Sequence, residues 1–461
     1  MVTRTLAMLA AAIAAVACAS TPAHAWPYGG SAPGQVPAVA PGGDLDIDFN
    51  VDVGEPLMAA GQEQTAFIKV TLGGFALPGT SNRPPINLAV VLDRSASMAG
   101  DSLEKAKEAA LMIVDRLQPD DIISVVTYDS DVEILVPATR ANEKDSIREQ
   151  IASITPRGAT ALFAGVSHGI EEVSKFLDPK RVNRIILLSD GQANVGPRSP
   201  NELGRLGEVA GRQGISITTI GLGLGYNEDL MTQLAMASDG NHGFAENADD
   251  LATIFNHELG DIMSVVARDV VIDISFDDGI IPVRAIGRDS TITGRTAKIT
   301  MNQLYAKQEK FVLFEVKVPP GAAGKKRSLA NVTAKYANMI SNKPGTRRGT
   351  ANVEFSVART AIAQRQNKRV METAIAARAT DENRRALALR DQGKVDEAER
   401  VLRTNAKYLA DEAARLKSRQ LQVYSQKNAD AATAMKKPAE WNETRKTMRT
   451  EQYKNDTTQA W

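Results

Sequence analysis

Two hydrophobic patterns take turns along the middle of this chain. Continuous apolar runs, as at residues 86–93, are typical of strands buried on both faces. An apolar residue every three or four positions, as at residues 102–117, is typical of an amphipathic helix. The two patterns alternate through residues 86–265. Because parallel strands need crossover helices, this alternation predicts an α/β fold with a doubly wound, mostly parallel sheet.

On both sides of this α/β unit the hydrophobic pattern changes to a period of two. Apolar and polar residues alternate in several runs within residues 44–85 and 266–358, and Gly, Pro, Asn and Asp separate the runs, as between antiparallel strands. Two or three strands cannot close a sandwich alone, so we expect the earlier runs to pair with the later ones. The α/β unit is then inserted in, or flanked by, one antiparallel β-sandwich.

The C-terminal part of the chain is charged and has a helical pattern. Residues 359–428 contain a break at residues 391–394, and the segment after the break has one apolar stripe, which predicts an antiparallel helical hairpin. Residues 429–461 are polar, with isolated Trp441 and Trp461, and this composition predicts a disordered tail.

Residues 1–25 have the features of a secretory signal peptide. Arg4 precedes a short apolar core, and an Ala-x-Ala cleavage site ends at Ala25, so we expect export to the periplasm or outside the cell. Residues 26–43, rich in Pro and Gly, then form a flexible linker. The alternative is lipidation of Cys18, the only cysteine. Cleavage after Ala25 leaves a mature chain without disulfides or thiolate chemistry.

The overall composition excludes several classes of partner. The 55 basic and 55 acidic residues balance, so the charge favours neither nucleic acid nor an anionic membrane surface. No stretch beyond the signal segment is long and apolar enough to be a transmembrane segment of the mature chain. The four histidines do not assemble into a zinc site or a Ser-His-Asp arrangement.

Oxygen-bearing side chains follow three of the predicted strands. Asp93, Ser95 and Ser97 come at the end of the first strand of the α/β unit, Thr160 precedes a helix, and Asp190 ends a later strand. Ligands bind at the carboxyl ends of strands in open α/β sheets. Oxygen donors without His or Cys favour Mg²⁺, Mn²⁺ or Ca²⁺. Four of them, Asp93, Ser95, Thr160 and Asp190, could each instead cap a helix.

The segment Asp93-Arg94-Ser95-Ala96-Ser97, with Thr160 and Asp190, resembles the metal-ion-dependent adhesion site (MIDAS) of von Willebrand factor type A (VWA) domains. The likeness covers about residues 86–263, with Gly158 before the threonine and Gly191 after the last aspartate. The whole layout also resembles bacterial envelope proteins described as calcium-activated chloride-channel-like.

This resemblance implies how the site would work. Ser95, Ser97 and Thr160 would bind the cation directly, Asp93 and Asp190 largely through water, and a Glu or Asp carboxylate of a partner protein would complete the coordination. Arg94 departs from the small or acidic residues often found there, and either steers that carboxylate or is solvated.

We therefore expect a non-enzymatic, divalent-metal-dependent protein-binding module of the cell envelope. One alternative is a structural scaffold whose metal only rigidifies the fold and whose helical hairpin binds the partner. A metal-dependent hydrolase would need a general base beside the cation, and the loops offer none except the metal-binding aspartates.

Overall fold

The computed structural model describes residues 45–77, 83–286 and 290–459. The predicted signal peptide, Cys18 and the linker at residues 26–43 lie outside the described residues. Among those that are described, no helix combines the length and the apolar character that a membrane crossing requires.

The chain begins its described part with strands of a β-sandwich. These are β1 (Asp48–Val53), β2 (Leu57–Ala59) and β3 (Gln64–Gly73). In β3 a run of apolar side chains is buried in the sandwich core. Too few strands are present at this point to cover that face, so β3 depends on partners that come later in the sequence.

The α/β unit follows, and strands and helices alternate in it as predicted. Its strands are β4 (Ile86–Asp93), β5 (Ile122–Tyr128), β6 (Val132–Arg140), β7 (Val182–Ser189), β8 (Ser216–Leu222) and β9 (His242–Ala245). Its helices are α1 (Asp101–Arg116), α2 (Lys144–Ala152), α3 (Leu162–Ser174), α4 (Pro200–Arg212), α5 (Glu228–Ala237) and α6 (Asp250–Ile262).

The sheet of the α/β unit has the order β6-β5-β4-β7-β8-β9, and β6 alone of these strands pairs antiparallel. All residues of the central strands β4, β5, β7 and β8 are buried, because helices cover both faces. The predicted doubly wound, mostly parallel sheet is confirmed. Its carboxyl edge presents the loops after β4 and β7.

The sandwich then resumes. Its later strands are β10 (Val265–Phe276), β11 (Ile281–Ile286), β12 (Thr291–Thr293), β13 (Thr296–Tyr305), β14 (Glu309–Val318), β15 (Lys326–Asn338) and β16 (Pro344–Ser356). One sheet has the order β1-β3-β14-β11 and the other β12-β13-β10-β15-β16-β2. β3 pairs with β14 along its whole length, and β2 pairs with β16. The α/β unit is thus inserted between strands of one sandwich, as the hydrophobic pattern indicated.

Helices form the rest of the described chain. They are α7 (Arg359–Gln364), α8 (Lys368–Asp391), α9 (Val395–Leu416), α10 (Arg419–Ala434) and α11 (Pro438–Thr457). α8 and α9 form the predicted antiparallel pair, and the turn between them contains Gly393 at a φ of +80°.

The prediction of a disordered tail after residue 429 is wrong. α10 continues through this region and α11 follows it, with Trp441, Met448 and Tyr453 buried. The polar composition of the tail misled the prediction, because much of α11 is held by ion pairs and hydrogen bonds to distant parts of the chain. Such contacts leave no periodic apolar signal in the local sequence.

Candidate metal centre

Asp93 is buried at the bottom of the candidate centre. It ends β4 with 0% of its surface exposed, so its carboxylate depends on neighbouring donors. Oδ1 accepts a hydrogen bond of 2.9 Å from the Ser95 amide, and Oδ2 accepts one of 2.6 Å from the Ser189 hydroxyl. These two bonds fix the orientation of the carboxylate toward the loop that follows.

The two serines and the second aspartate form a continuous row of oxygens. The hydroxyls of Ser95 and Ser97 lie 3.1 Å apart, and the Ser97 hydroxyl donates a 2.8 Å hydrogen bond to Oδ1 of Asp190. Ser97 lies in a 3₁₀ turn, Ala96–Met98, that begins directly after Ser95, and the parallel pairing of β4 with β7 brings Asp190 to the same place. Four of the five predicted residues are therefore joined by hydrogen bonds.

Thr160 joins the same cluster from the loop before α3. A Cβ placed on Gly191 would lie 3.4 Å from the Thr160 hydroxyl and 3.5 Å from the Ser97 hydroxyl, so both hydroxyls converge on this glycine. The Thr160 amide donates a 2.8 Å hydrogen bond to Oδ1 of Asn194. The amide of Asn194 in turn donates a 3.1 Å bond to the Thr160 carbonyl. The structure thus brings together all five predicted residues.

Gly158 connects two of the loops. Its carbonyl accepts a 3.2 Å hydrogen bond from the Ala96 amide, and its φ of +72° favours glycine. A Cβ at this position would lie 2.8 Å from the Ser130 hydroxyl and 2.9 Å from Oδ1 of Asp129. A side chain here would therefore clash with the turn between β5 and β6, and one of the two loops would have to shift.

Of the two roles predicted for Arg94, solvation disagrees with its position. The side chain is buried, with 5% of the residue exposed, so it is not solvated. Its Nε donates a 2.7 Å hydrogen bond to Asp129 and its Nη1 a 2.6 Å bond to Glu133. Two of its three guanidinium nitrogens thus bond within the chain, and Arg94 joins the loop after β4 to the turn and strand that follow β5.

Burial sets the protonation of the two aspartates. It raises the pKa of Asp93 to about 6, although the hydrogen bonds from Ser189 and Ser95 act in the opposite direction. Burial also raises the pKa of Asp190, with the Ser97 hydrogen bond opposing it. Both carboxylates are costly as isolated anions, and a cation beside them would offset that cost.

The donor chemistry of the cluster fits a hard divalent cation. Its side chains offer carboxylate and hydroxyl oxygens, the ligand types that Mg²⁺, Mn²⁺ and Ca²⁺ prefer. In the part of the chain that the structure describes, no group of three or more His, Cys, Asp or Glu side chains is placed to hold a metal. The distinguishing feature of this candidate centre is therefore its set of hydroxyl donors.

Sequence reasoning missed two supporting residues, Ser189 and Asn194. Each bonds a predicted residue from a distant segment, Ser189 to Asp93 and Asn194 to Thr160. Both lie within four residues of Asp190, and that proximity was the only available signal. Their partners in space could not be read from the local pattern.

Comparison with known proteins identifies the α/β unit. Residues 87–257 match the family model described as von Willebrand factor type A domain, so the chain contains a VWA domain. The uncharacterized protein sll0103 of Synechocystis is 32% identical over 208 residues, which are 45% of this chain and 47% of that protein. Human inter-alpha-trypsin inhibitor heavy chain H3 is 32% identical over 170 residues, 35% of this chain and 19% of that protein. The matched segments thus cover less than half of either relative.

Two solved structures share the fold well beyond the VWA domain. A von Willebrand factor type A protein from Catenulispora acidiphila has a TM-score of 0.66 at 18% identity, with 82% of this chain and 89% of that chain covered. The ArnB paralog VWA2 from Sulfolobus acidocaldarius has a TM-score of 0.57 at 20% identity, with 87% and 98% covered. These comparisons give no support to the more specific likeness to chloride-channel-like envelope proteins.

Proposed function

We propose that this protein is a divalent-cation-dependent protein-binding module of the cell envelope. The observation that carries the proposal is the convergence of the hydroxyls of Ser95, Ser97 and Thr160 with the carboxylates of Asp93 and Asp190. VWA domains are commonly metal-dependent interaction modules, and this chain contains the domain. Export, suggested by residues 1–25, is part of the proposal.

The residues of the site would have different roles according to how deeply they are buried. Ser97 is exposed and Asp190 half-buried, so they would form the accessible rim, whereas Asp93 and Ser95 are buried beneath them. A cation held mainly by neutral hydroxyls keeps much of its positive charge, and would attract a further anionic ligand. A Glu or Asp carboxylate of a partner protein is the ligand that we propose, with Mg²⁺, Mn²⁺ or Ca²⁺ as the cation.

We propose no catalytic role. His168 pairs with Glu171 on α3, away from the strand ends that carry the cluster. Burial lowers the pKa of His242, on β9, to about 3. Neither histidine is placed beside Asp93 as the general base of a hydrolase.

Metal binding is the first test of this function. Isothermal titration with Mg²⁺, Mn²⁺ and Ca²⁺ should show one saturable site in the wild-type protein, and Ser95→Ala with Ser97→Ala should remove it. The matched control is Ser146→Ala with Ser153→Ala, since both of these serines are exposed on α2 and the turn after it. Absence of saturable binding in the wild type, or equal binding in both double variants, would defeat the proposal.

Partner binding is the second test. The wild-type protein and the two double variants would be used to capture partners from envelope extract, with Mg²⁺ or with chelator. We expect capture that needs both the cation and the two serines. Capture that survives chelator and the Ser95, Ser97 substitutions would favour the alternative, a scaffold that binds through its helices.

A further inference from the structure

The C-terminal helix α11 lies against the VWA domain, and buried charges hold it there. Lys446 is 2% exposed, and its Nζ donates a 2.8 Å hydrogen bond to the Tyr226 carbonyl and a 2.7 Å bond to Glu228. The same Nζ lies 4.4 Å from the centre of the Tyr226 ring. A buried ammonium group with this set of partners is costly to move. If it moved, Glu228 would be left as a buried charge without its partner and without water.

Arg445, the neighbour of Lys446, extends this contact to a third element. It forms ion pairs with Glu228, with Asp229 at 3.0 Å and with Asp391 at 3.1 Å. Asp391 ends α8, whereas Glu228 and Asp229 begin α5 of the VWA domain. The middle of α11 therefore links the first turn of α5 to the end of α8.

The far end of α11 is fixed to the edge of the VWA sheet. The Tyr453 hydroxyl donates a 2.7 Å hydrogen bond to the Gly240 carbonyl. The side-chain amide of Gln459 bonds both the amide and the carbonyl of His242, each at 3.0 Å. α11 and the residues just after it thus contact the VWA domain at two separate places, at the start of α5 and after its end.

The segment between β8 and α5, residues 223–227, lies between α11 and the metal centre. A Cβ placed on Gly225 would be 2.6 Å from the Asp190 carbonyl, so this segment packs directly on the backbone of Asp190. A Cβ on Gly221 would be 2.2 Å from the Tyr226 ring, so that ring packs against the end of β8. On its other side the segment contacts α11, where Asn442 donates a 3.4 Å bond to the Leu224 carbonyl.

We propose that α11 belongs to the binding unit, and that Lys446 is a positioning residue which holds residues 223–227 against Asp190. This inference rests on the proposed function of the metal centre and adds a regulatory contact to it. With α11 docked, the Asp190 backbone is buttressed in the position that meets Ser97. With α11 released, the β8–α5 segment loses its support, and the affinity of the centre for cation falls.

Lys446→Met tests this inference, with Lys437→Met as the matched control. Lys437 lies at the start of the same helix, but its side chain is exposed and pairs only with the nearby Glu440 among the described residues. We expect Lys446→Met to weaken Mg²⁺ or Mn²⁺ binding about tenfold, the lower end of the usual effect of a supporting residue. Lys446→Gln should recover part of the affinity, since an amide can still donate to the Tyr226 carbonyl. Equal affinity in the Met variants at positions 446 and 437 would overturn the inference.

Amide hydrogen exchange of the metal-free protein provides a readout that does not depend on metal binding. In Lys446→Met, exchange should rise in residues 221–227 and in residues 190–194, and Lys437→Met should leave both segments unchanged. Should the wild type bind no cation, the proposed function fails, while these exchange rates still decide whether α11 supports the Asp190 loop. Unchanged exchange at residues 190–194 would overturn the coupling.

Gly225→Ala keeps the inference testable if Lys446→Met does not fold. This substitution changes no side chain of α11 and acts where the segment meets Asp190. We expect weaker cation binding and faster exchange at residues 190–194, as for Lys446→Met. Wild-type affinity in Gly225→Ala would show that the segment does not act on the centre, and the inference would fall.

Discussion

Tyr305→Phe should destabilise the protein by about 1.5–3 kcal/mol, the range for hydrogen bonds to charged groups. The Tyr305 hydroxyl accepts a 2.7 Å bond from Nη2 of Arg184, on β7. Arg184 and its carboxylate partner Glu258 are both 0% exposed, so water cannot replace a lost bond. Burial acts to lower the pKa of Arg184, but Glu258, Tyr305 and Asp261 together outweigh it and the net shift is upward, so the guanidinium is charged. Phenylalanine keeps the ring and creates no cavity.

Urea unfolding of Tyr305→Phe and Tyr336→Phe would measure this cost. Tyr336 is also buried in the sandwich, and its hydroxyl bonds no charged group among the described residues, so we expect its loss to cost below about 1 kcal/mol. In a background carrying Arg184→Met and Glu258→Leu, Tyr305→Phe should cost no more than that control. An equal cost with and without the ion pair would refute the reasoning.

Two further perturbations follow from packing and from proton binding. Gly74→Ala would place a Cβ 1.9 Å from the Tyr305 carbonyl and should lower the free energy of unfolding by about 1–3 kcal/mol or more. The control is Gly260→Ala, where the added Cβ would lie in open space on α6. It should stabilise the protein by about 0.4–1 kcal/mol in the same unfolding assay. Burial raises the pKa of Glu55 from 4.5 to about 7, so the folded state binds the extra proton and the free energy of unfolding should fall as pH rises through this window. Glu55→Gln should remove that slope, and an unchanged slope would contradict the assignment.

The fold was predictable where burial follows a regular period. The uninterrupted apolar runs of β4 and β7 and the amphipathic helices between strands belong to one parallel sheet, and their pattern is local. The pairing of β3 with later strands was also predictable, because the segment that contains β3 has too few strands to cover it. The docking of α11 could not be predicted, since the bonds of Lys446 to Tyr226 and Glu228 join residues about half the chain apart.

In the candidate centre, too, features that depend on local sequence were predictable and features that depend on distant contacts were not. Spacing and strand ends were enough to find Asp93, Ser95, Ser97, Thr160 and Asp190, which the structure brings together. Arg94 was misjudged because its partners Asp129 and Glu133 lie 35 and 39 residues further along the chain. Its pairing with them is a property of the folded loops, and no local rule distinguishes a paired arginine from a free one.

The insertion of the VWA domain between β3 and β14 also has a kinetic consequence. Lys69 and Glu309, paired across these two strands, are 240 residues apart, so a long loop must close before β3 and β14 can pair. The VWA domain contains its own sheet and can form earlier, which shortens that loop to the span between its two ends. Pulse-labelling during refolding should therefore protect amides of β4 and β7 before those of β3, and simultaneous protection would contradict this order. Until β14 arrives, β3 pairs only with β1 and its other edge is open, and aggregation during folding should begin there.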